Sequence, residues 1–239
     1  MAHLQGAARR EYVARMFTRI AARYDLMNTV MTLGMHHRWR REVADLATRG
    51  LEGLALDVAA GTGDLTFALS NQPNVTEAVG LDLLSVMLQR AMEKARSRGN
   101  DQVRFVIGDA LHLPFADDTF ACATSAFGLR NMPSLRDALA EMVRVVRPGG
   151  TVVTLEIVPL EPGRWATPYL RFYFRHVIPL IGGAIAGDRE AYTYLPESVD
   201  RFPPPARLKA MMEEVGLGSV TYKHVGMRMV AIHRGTKVL

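Results

Sequence analysis

The N-terminal fifth of the chain has the apolar spacing of helices. Two sets of apolar residues recur at intervals of three or four: Val13, Phe17 and Ile20, then Trp39, Val43 and Leu46. This period predicts helices over about residues 9–47, and Gly34 favours a break between the two sets. Helical arms of this kind commonly fold over a binding site, so we expect residues 1–50 to form a helical lid.

From residue 54 onward, short apolar runs alternate with helical patterns. The runs predict strands at 54–58, 78–82 and 103–108, in a stretch ending at 126, and at 151–158. Helices are predicted at 86–98 with Ser85 as N-cap, from a Ser134 cap to 146 with Pro148-Gly149-Gly150 as the end, and at 203–215. The β-rich segments 219–225 and 227–233 read as a hairpin. The order predicts an α/β fold, a doubly wound and mostly parallel sheet with an antiparallel C-terminal strand, in a single domain over 1–239.

The first predicted strand leads into a glycine turn, Asp57-Val58-Ala59-Ala60-Gly61-Thr62-Gly63-Asp64, which opens a helix. This order builds nucleotide-type sites at the carboxyl end of a strand. The turn differs from a dinucleotide site, because Thr66 replaces the third glycine and Asp64 is negative where pyrophosphate would bind. A ligand with an adenosine half and a cationic, amine-bearing half suits Asp57 and Asp64 better, and S-adenosylmethionine (SAM) is such a ligand. An ordinary turn with a capping Asp is the alternative.

Two more predicted strands also end beside an acidic residue. Asp82 follows Asp57 at about the interval of a ribose-binding carboxylate, and Asp109 with Ala110 follows the third strand. Buried carboxylates are unfavourable unless paired, so a shared ligand explains these acids better than three unrelated surface caps. We therefore predict that Asp82 binds ribose hydroxyls and that the adenine lies beside Asp109 and Ala110.

Composition excludes several classes of protein. Hydrophobic residues make up 49% of the 239 residues, which argues against disorder. The single cysteine, Cys122, excludes an internal disulfide framework and favours an inert buried thiol. The net charge is +5, but the basic residues are scattered, so we expect no nucleic-acid partner. We also expect a cytoplasmic protein without a metal, since no spanning run, signal peptide or metal-ligand spacing is visible.

Residues 159–197 form an apolar insertion before the last helix. Its most apolar part, 168–185, contains Phe172 and Phe174 and is interrupted by Arg171 and Arg175, which is wrong for a spanning helix. Arginines beside aromatic rings suit a membrane interface. We expect this insertion to receive an apolar substrate tail and to touch the membrane peripherally. Packing over the sheet, or a homo-oligomer interface, is the alternative.

Several longer segments carry a family resemblance. They are Tyr24-Asp25-Leu26-Met27-Asn28 with His36 and Trp39, Phe127-Gly128-Leu129-Arg130-Asn131, Arg144-Val145-Val146-Arg147-Pro148-Gly149-Gly150 with Leu155-Glu156, Gly187-Asp188 with Ala191-Tyr192-Tyr194-Leu195-Pro196-Glu197-Ser198, and Phe202-Pro203. With the glycine turn and the strand-end acids, the chain resembles the class I SAM-dependent methyltransferases, and more closely the C-methyltransferases of menaquinone and ubiquinone biosynthesis. The family usually has Ser at the positions of Thr32, Ala126 and Val158, and Lys at that of Arg147. These departures bear on the substrate pocket rather than on the cofactor.

The resemblance implies a cofactor, a substrate and their ligands. SAM is expected to bind a set of residues from the glycine turn and the strand ends: Asp57, Gly61, Thr62, Gly63, Asp82, Leu83, Asp109 and Ala110. The methyl acceptor is expected to be a prenylated quinol, with either a naphthoquinol or a benzoquinol ring. Arg130 is expected to act as a fixed cation beside the developing phenolate, and Asn131 to hold the ring by hydrogen bonds. His36 is expected to accept a proton, since its ordinary pKa is near neutral.

Other readings stay open on the sequence alone. Arg130 could simply pair with Glu156, and His36 could be a packing residue at a helix end. The chain could methylate another small lipophilic or phenolic acceptor. It could also be a catalytically silent SAM-binding or RNA-binding module, although the intact glycine turn and Arg130-Asn131 argue against that.

Overall fold

The computed structural model describes residues 6–160, 167–186 and 188–238. The strands are β1 (Gly53–Val58), β2 (Val75–Asp82), β3 (Val103–Ile107), β4 (Phe120–Ala126), β5 (Val146–Ile157), β6 (Leu217–Val225) and β7 (Val230–Lys237). The α-helices are α1 (Gly6–Ile20), α2 (Tyr24–Thr32), α3 (Met35–Thr48), α4 (Asp64–Ser70), α5 (Ser85–Arg98), α6 (Leu135–Val145), α7 (Thr167–Phe172), α8 (Ile178–Ala186), α9 (Arg189–Arg201) and α10 (Pro205–Glu214). Short 3₁₀ turns cover Ala21–Arg23 and Leu129–Asn131, and a π turn covers Tyr173–Val177.

The strands form one sheet in the order β3-β2-β1-β4-β5-β7-β6. Strands β1 to β5 are parallel, while β7 is antiparallel to both β5 and β6. The predicted doubly wound sheet and its C-terminal hairpin are therefore confirmed. The strand order reverses between β1 and β4, and open α/β sheets bind ligands at the carboxyl ends beside such a switch point.

Alternation along the strands divides the core between the two faces of the sheet. Leu56 and Val152 point to the face covered by α6 and α10, whereas Ala55 and Val153 point to the face covered by α3 and α4. A third apolar cluster lies away from the sheet and joins the N-terminal helices to α8 and α9: Tyr12, Met16, Ile20, Met27, Ile178, Ala191, Tyr192, Tyr194, Leu195 and Val199. This third cluster fixes the N-terminal helices against the insertion.

The predicted N-terminal helices are present, and the chain turns sharply between α2 and α3. Leu33 and Gly34 both have left-handed backbones, with φ of 50° and 75°. Glycine adopts this conformation readily, which explains why the helical pattern breaks at Gly34. Cys122 is buried as expected, and burial raises the pKa of its thiol to about 12, so it stays protonated and unreactive.

Two local predictions were wrong. Ser85 is the first residue of α5 rather than its cap, and the side chain of Asp82 instead accepts the Leu84 N–H at 2.9 Å at that turn. Pro148-Gly149-Gly150 does not end the preceding helix, which stops at Val145, but lies within β5. The residue before a proline favours an extended backbone, so the chain enters the strand ahead of Pro148.

The insertion is helical where the structure describes it. Its described residues form α7, the π turn, α8 and the beginning of α9. Residues 161–166 and 187, and the side chain of Phe174, lie outside the described parts. Among the helices described, none is both long and apolar enough to cross a membrane.

Candidate active site

The glycine turn after β1 takes a conformation that favours glycine at two positions. Gly61 and Gly63 have φ of 56° and 84°. A Cβ on Gly63 would lie 3.0 Å from the ring of Phe105 and 3.1 Å from Ala91, so this glycine lets α4 pack closely. A Cβ on Gly61 would meet nothing nearer than the Met87 side chain at 3.6 Å. A side chain on Gly61 would therefore contact Met87 and Tyr24 without a clash, whereas one on Gly63 would be too close to its neighbours in the core.

Asp82 ties the end of β2 to this turn. Its two carboxylate oxygens accept the Gly61 N–H at 2.8 Å and the Leu84 N–H at 2.9 Å. Burial raises the pKa of this carboxyl, while the two backbone donors act in the opposite direction. A carboxylate oxygen has more than one lone pair, so Asp82 keeps acceptor capacity for a ligand.

A cleft with about 840 Å³ of empty space, partly open to solvent, lies over these strand ends. It is lined by residues of α1 and α2, the glycine turn, the ends of β2 to β4 and the loop after β4, among them Val13, Ala14, Phe17, Tyr24, Gly61, Asp82, Leu83, Met87, Asp109, Ala110, Phe127, Asn131 and Met132. Within the described residues, the Asn131 Oδ1 atom is buried and has no hydrogen-bond partner. A buried acceptor without a donor is unfavourable, which favours a ligand donor at this point.

Three of the predicted cofactor residues do not line the cleft. Asp57 is buried and accepts a hydrogen bond from the Thr66 hydroxyl at 2.7 Å, while the Thr62 hydroxyl donates to Asp25 at 2.5 Å. Gly63 packs against the core. The remaining five, Gly61, Asp82, Leu83, Asp109 and Ala110, do line it. Asp57 and Thr62 thus form hydrogen bonds within the protein, and Gly63 allows close packing beside the glycine turn.

Asp64 also differs from its expected position beside a cationic ligand. Lys94 lies 2.9 Å from its carboxylate and Arg40 lies 3.8 Å away. Burial opposes ionisation, but these two cations together hold the pKa of Asp64 below its ordinary value. Its negative charge is therefore matched within the protein.

Asp57→Asn is expected to stabilise the protein more strongly at high pH. Burial raises the pKa of Asp57 to about 7 from an ordinary value of 3.8, so the folded protein retains a proton that the unfolded chain releases. The group's contribution to stability is complete below about pH 4 and is lost as the pH rises through 7, by about 1.4 kcal/mol per pH unit in between. Urea unfolding of both proteins at pH 5 and pH 8 tests this, since other titrating groups cancel. An equal difference at both pH values would contradict it.

Helix α1 closes over the cleft through two consecutive arginines. The Arg10 guanidinium lies 2.8 Å from the Asp109 carboxylate. Arg9 donates to the main-chain carbonyl of Arg130 at 2.7 Å. Val13 and Phe17 from the same helix contribute apolar side chains to the wall of the cleft. Helix α1, which belongs to the segment predicted to form a lid, therefore contributes to the wall of the cleft.

A second, more apolar cavity lies beside the cleft. Its lining comes from α2 and α3, the end of β5, the π turn, α8 and α9, and the β6–β7 hairpin: Asn28, Met31, Thr32, Met35, His36, Trp39, Phe127, Arg130, Ile157, Tyr173, Ile178, Leu195, Met229 and Val230. The Asn28 amide nitrogen and the Arg130 Nε are buried without hydrogen-bond partners among the described residues. This cavity thus combines apolar walls with two unused donors.

Arg130 forms a buried ion pair with Glu156. This pairing was the alternative interpretation of Arg130 from the sequence. Their side chains are 3.0 Å apart, with exposed fractions of 8% and 0%. Arg130 also donates to the carbonyl of Phe127. Burial raises the pKa of Glu156, and the guanidinium acts against that shift. The neighbouring Asn131 lines the cleft while Arg130 lines the second cavity, so the two adjacent residues serve different spaces.

His36 is buried, and its geometry does not suit a proton acceptor. Arg40 donates to its Nδ1, and its Nε2 lies 3.2 Å from the Thr29 hydroxyl. The guanidinium has only donors, so Nδ1 must accept and Nε2 carries the ring proton. Burial and the charge of Arg40 lower the pKa of His36 to about 4. The ring is therefore neutral at pH 7, and its lone pair is already engaged.

The structure brings together a residue cluster that the sequence spacing had not indicated. His36, His37 and Asp64 have ligand atoms within 4.8 Å of one another. Arg40, however, donates to His36 and lies 3.8 Å from Asp64, so a guanidinium already satisfies two of the three groups. A divalent cation would have to displace that charge.

Several residues of the two cavities were not identified from the sequence. Met87 and Met132 in the cleft come from segments without a local chemical motif. Tyr173 and Ile178 in the second cavity, by contrast, belong to the run 168–185 that was predicted to receive an apolar substrate tail. Phe127 was noted only as part of a family segment. Phe17 could have been found, because the helical period places it with Val13 on the face of the predicted lid.

Several solved structures have a similar fold, and some of them are described as methyltransferases. One is the [4+2]-cyclase SpnF, with a TM-score of 0.68 and 18% identity, covering 95% of each chain. Another is a SAM-dependent methyltransferase of Thermotoga maritima, with a TM-score of 0.63 and 17% identity, covering 93% of this chain and 99% of that one. Identities this low establish the fold alone. The sheet order and the cleft at its switch point are those of a class I methyltransferase.

Sequence comparison then gives the family. The chain belongs to the ubiE/COQ5 methyltransferase family, whose model matches residues 5–237. It is 46% identical to the demethylmenaquinone methyltransferase of Thermus thermophilus, over 93% of this chain and 100% of that protein. It is 38% identical to the ubiquinone/menaquinone biosynthesis C-methyltransferase UbiE of Cereibacter sphaeroides, over 93% and 89% of the two chains.

Proposed function

We propose that this protein transfers a methyl group from SAM to a ring carbon of a prenylated quinol, as in the conversion of demethylmenaquinol to menaquinol or the corresponding ubiquinone step. The names of its relatives support this reaction. The observation that carries it is the apolar second cavity, which contains Arg130 and shares a wall with the cleft. A flat, lipophilic ring with ionisable hydroxyls suits such a cavity.

The cleft residues fit SAM. Asp82 offers a buried carboxylate to the two ribose hydroxyls, and the apolar residues around Leu83 and Ala110 can enclose the adenine. The unpartnered Asn131 Oδ1 offers an acceptor to a donor on the ligand. When bound, SAM supplies a methyl group: the methyl–sulfur bond breaks with its electron pair going to sulfur, a carbon–carbon bond forms at the acceptor ring, and one proton is released to water as the ring regains aromaticity.

The acceptor is activated by negative charge on its ring oxygen. Arg130 can stabilise this charge, because its Nε is buried and unpartnered while Nη1 is held by Glu156. The fixed ion pair keeps the guanidinium in place without solvent reorganisation. We assign His36 a positioning role, since its neutral ring accepts a hydrogen bond from Arg40.

The sharpest test of the function compares acceptors at constant SAM. Purified protein is given radiolabelled SAM and either a reduced demethylated naphthoquinol, a demethylated benzoquinol or a simple phenol, and methylated products are identified by mass spectrometry. Transfer to a ring carbon of either quinol is expected. Transfer to the phenol alone would support the other candidate function, a methyltransferase of different small phenolic acceptors.

We also propose that the described part of the insertion rests on the membrane surface that holds the quinol. Three of its large apolar side chains are strongly exposed, Tyr169 by 73% and Phe172 and Leu180 by 60% each. Tyr173 and Ile178 of the same segment line the second cavity. Exposed Arg171 lies among these side chains and suits anionic headgroups, whereas the exposed Arg175 already pairs with Asp200 at 2.9 Å. The apolar surface is therefore continuous in sequence with the cavity that would take the ring.

Phe172→Ser with Leu180→Ser is expected to weaken membrane docking. Binding to vesicles that contain an anionic lipid should fall, and so should activity on a long-tailed quinol, while activity on a short-tailed analogue is retained. Met92→Ser on α5 is the control, since Met92 is also exposed but lies outside the insertion. Equal losses on both substrates, with unchanged vesicle binding, would show that the segment is a packing or dimer surface.

A further inference from the structure

Phe127 occupies an unusual position between the two cavities. It follows β4 directly and lines both the cleft and the second cavity; among the lining residues of the two, it is the shared one. Two residues that follow it in the chain line different cavities: Asn131 lines the cleft and Arg130 lines the second cavity. Phe127 therefore lies where the two cavities adjoin.

The backbone of Phe127 is held in a conformation that bulky residues rarely adopt. Its φ is 61°, in the left-handed region. The Phe127 N–H donates to the Leu155 carbonyl at 2.8 Å. Its own carbonyl accepts from the Arg130 guanidinium and, at 3.4 Å, from the Asn131 amide. Such strain persists only where surrounding contacts enforce it, and it is typical of functional sites.

The ring of Phe127 is held as well. The Arg40 guanidinium carbon lies 5.4 Å from the ring centroid, within the range of a cation–π contact. Arg40 is itself buried, with 6% of its surface exposed, and is fixed by His36 and Asp64. Backbone, carbonyl and aromatic face are thus constrained independently.

We propose that Phe127 is the positioning and selectivity residue of the methyl transfer: its ring is the partition that sets the distance and the angle at which the acceptor carbon meets the methyl group. The inference rests on the proposed function, because it requires a donor in the cleft and an acceptor ring in the second cavity. Displacement at a methyl carbon requires nucleophile, methyl and leaving group in line at near-contact distance, and small misplacements lower the rate steeply. A rigid aromatic wall limits how the acceptor ring can tilt.

Two substitutions separate the ring from the backbone. Phe127→Gly removes the ring, and glycine adopts the left-handed backbone readily. A loss of activity in this variant therefore cannot be due to backbone strain. Phe127→Leu keeps an apolar wall of smaller size. Ser219→Gly is the matched control, because Ser219 also has a left-handed backbone, with φ of 51°, and lines neither cavity.

The measurements are the SAM dissociation constant, and kcat and KM on a bicyclic naphthoquinol and a monocyclic benzoquinol with the same short tail. Phe127→Gly is expected to lower kcat/KM by about 10-fold or more while SAM affinity changes less than about threefold. It should also shift the ratio of the two kcat/KM values toward the bicyclic acceptor by about fivefold, because the space released favours the larger ring. Phe127→Leu should lie between, and Ser219→Gly should match the wild type.

The results that would contradict the proposal for Phe127 differ from the result that would refute the proposed function. Equal losses on both acceptors, or a loss explained by weaker SAM binding, would make Phe127 a structural residue and overturn the inference. Unchanged kinetics would overturn it too. If Phe127→Gly does not fold, the acceptor ratio of Phe127→Leu decides alone. A wild-type protein that methylates neither quinol would instead refute the proposed function, and that control is measured first.

Discussion

Asp82→Ala is expected to remove most of the affinity for SAM while leaving a folded protein. The substitution takes away the proposed acceptor of the ribose hydroxyls, and it frees the N–H groups of Gly61 and Leu84, which the carboxylate now holds. The freed N–H groups lower the stability of the free protein and of the complex alike, whereas ribose hydroxyls buried without their acceptor cost about 1–3 kcal/mol of binding free energy. The dissociation constant should therefore rise by roughly 30-fold or more. Calorimetric titration with SAM measures this directly.

Asp82→Asn provides the matched control for that experiment. Its side-chain oxygen can still accept one of the two N–H groups, but its amide nitrogen, in place of the second carboxylate oxygen, can accept neither the other N–H nor a ligand hydroxyl. We therefore expect an intermediate loss of affinity, with thermal stability closer to that of the wild type. Unchanged SAM binding in a folded Asp82→Ala protein would refute the ribose assignment.

Arg130→Gln is expected to lower both stability and turnover, for two separate reasons. The side chain of Glu156 is fully buried, and removing its guanidinium partner leaves a carboxylate without its cation. Breaking a buried ion pair in this way typically destabilises a protein by about 3–5 kcal/mol. Turnover should fall further, because a cation that stabilises charge only during the reaction acts on kcat rather than on SAM affinity.

A double variant distinguishes the two effects. Arg130→Gln combined with Glu156→Gln leaves two neutral amides that can hydrogen-bond each other, so most of the lost stability should return in urea unfolding. Turnover should remain low, because the cation is still missing. Recovery of turnover together with stability would show that Arg130 serves only to neutralise Glu156.

The parts of the site that could be predicted from the sequence are those carried by strand ends. Asp82 and Asp109 each come at the end of an apolar run, and parallel strands bring their carboxyl ends to one edge of the sheet. The Arg130–Glu156 pair was named from the sequence only as the alternative to a catalytic Arg130; in the structure Arg130 follows β4 and Glu156 lies near the end of the neighbouring β5. Position along a strand therefore sufficed for Asp82 and Asp109.

The interpretation of His36 could not be made from the sequence, because it depends on a partner one helical turn away that is itself fixed from elsewhere. Arg40 meets His36 on α3, but it is oriented by Asp64 after the glycine turn and by the ring of Phe127 after β4. These contacts join segments that are far apart in the sequence, so local hydrophobic periodicity does not reveal them. Asp57 was expected to bind the cofactor, but in the structure it accepts a hydrogen bond from Thr66. The sequence does not reveal this contact, because it forms only when α4 packs against β1.

The closure of α1 has a kinetic consequence. One helix touches the carboxylate of Asp109 in the cleft and the main chain of Arg130 at the second cavity. With the cofactor in the cleft as proposed above, detachment of this helix widens its exit, so product release and the next round of loading use the same opening. The Arg10–Asp109 contact is partly exposed, and added salt screens such pairs. Cofactor exchange should therefore quicken as ionic strength rises, even where each chemical step keeps its rate.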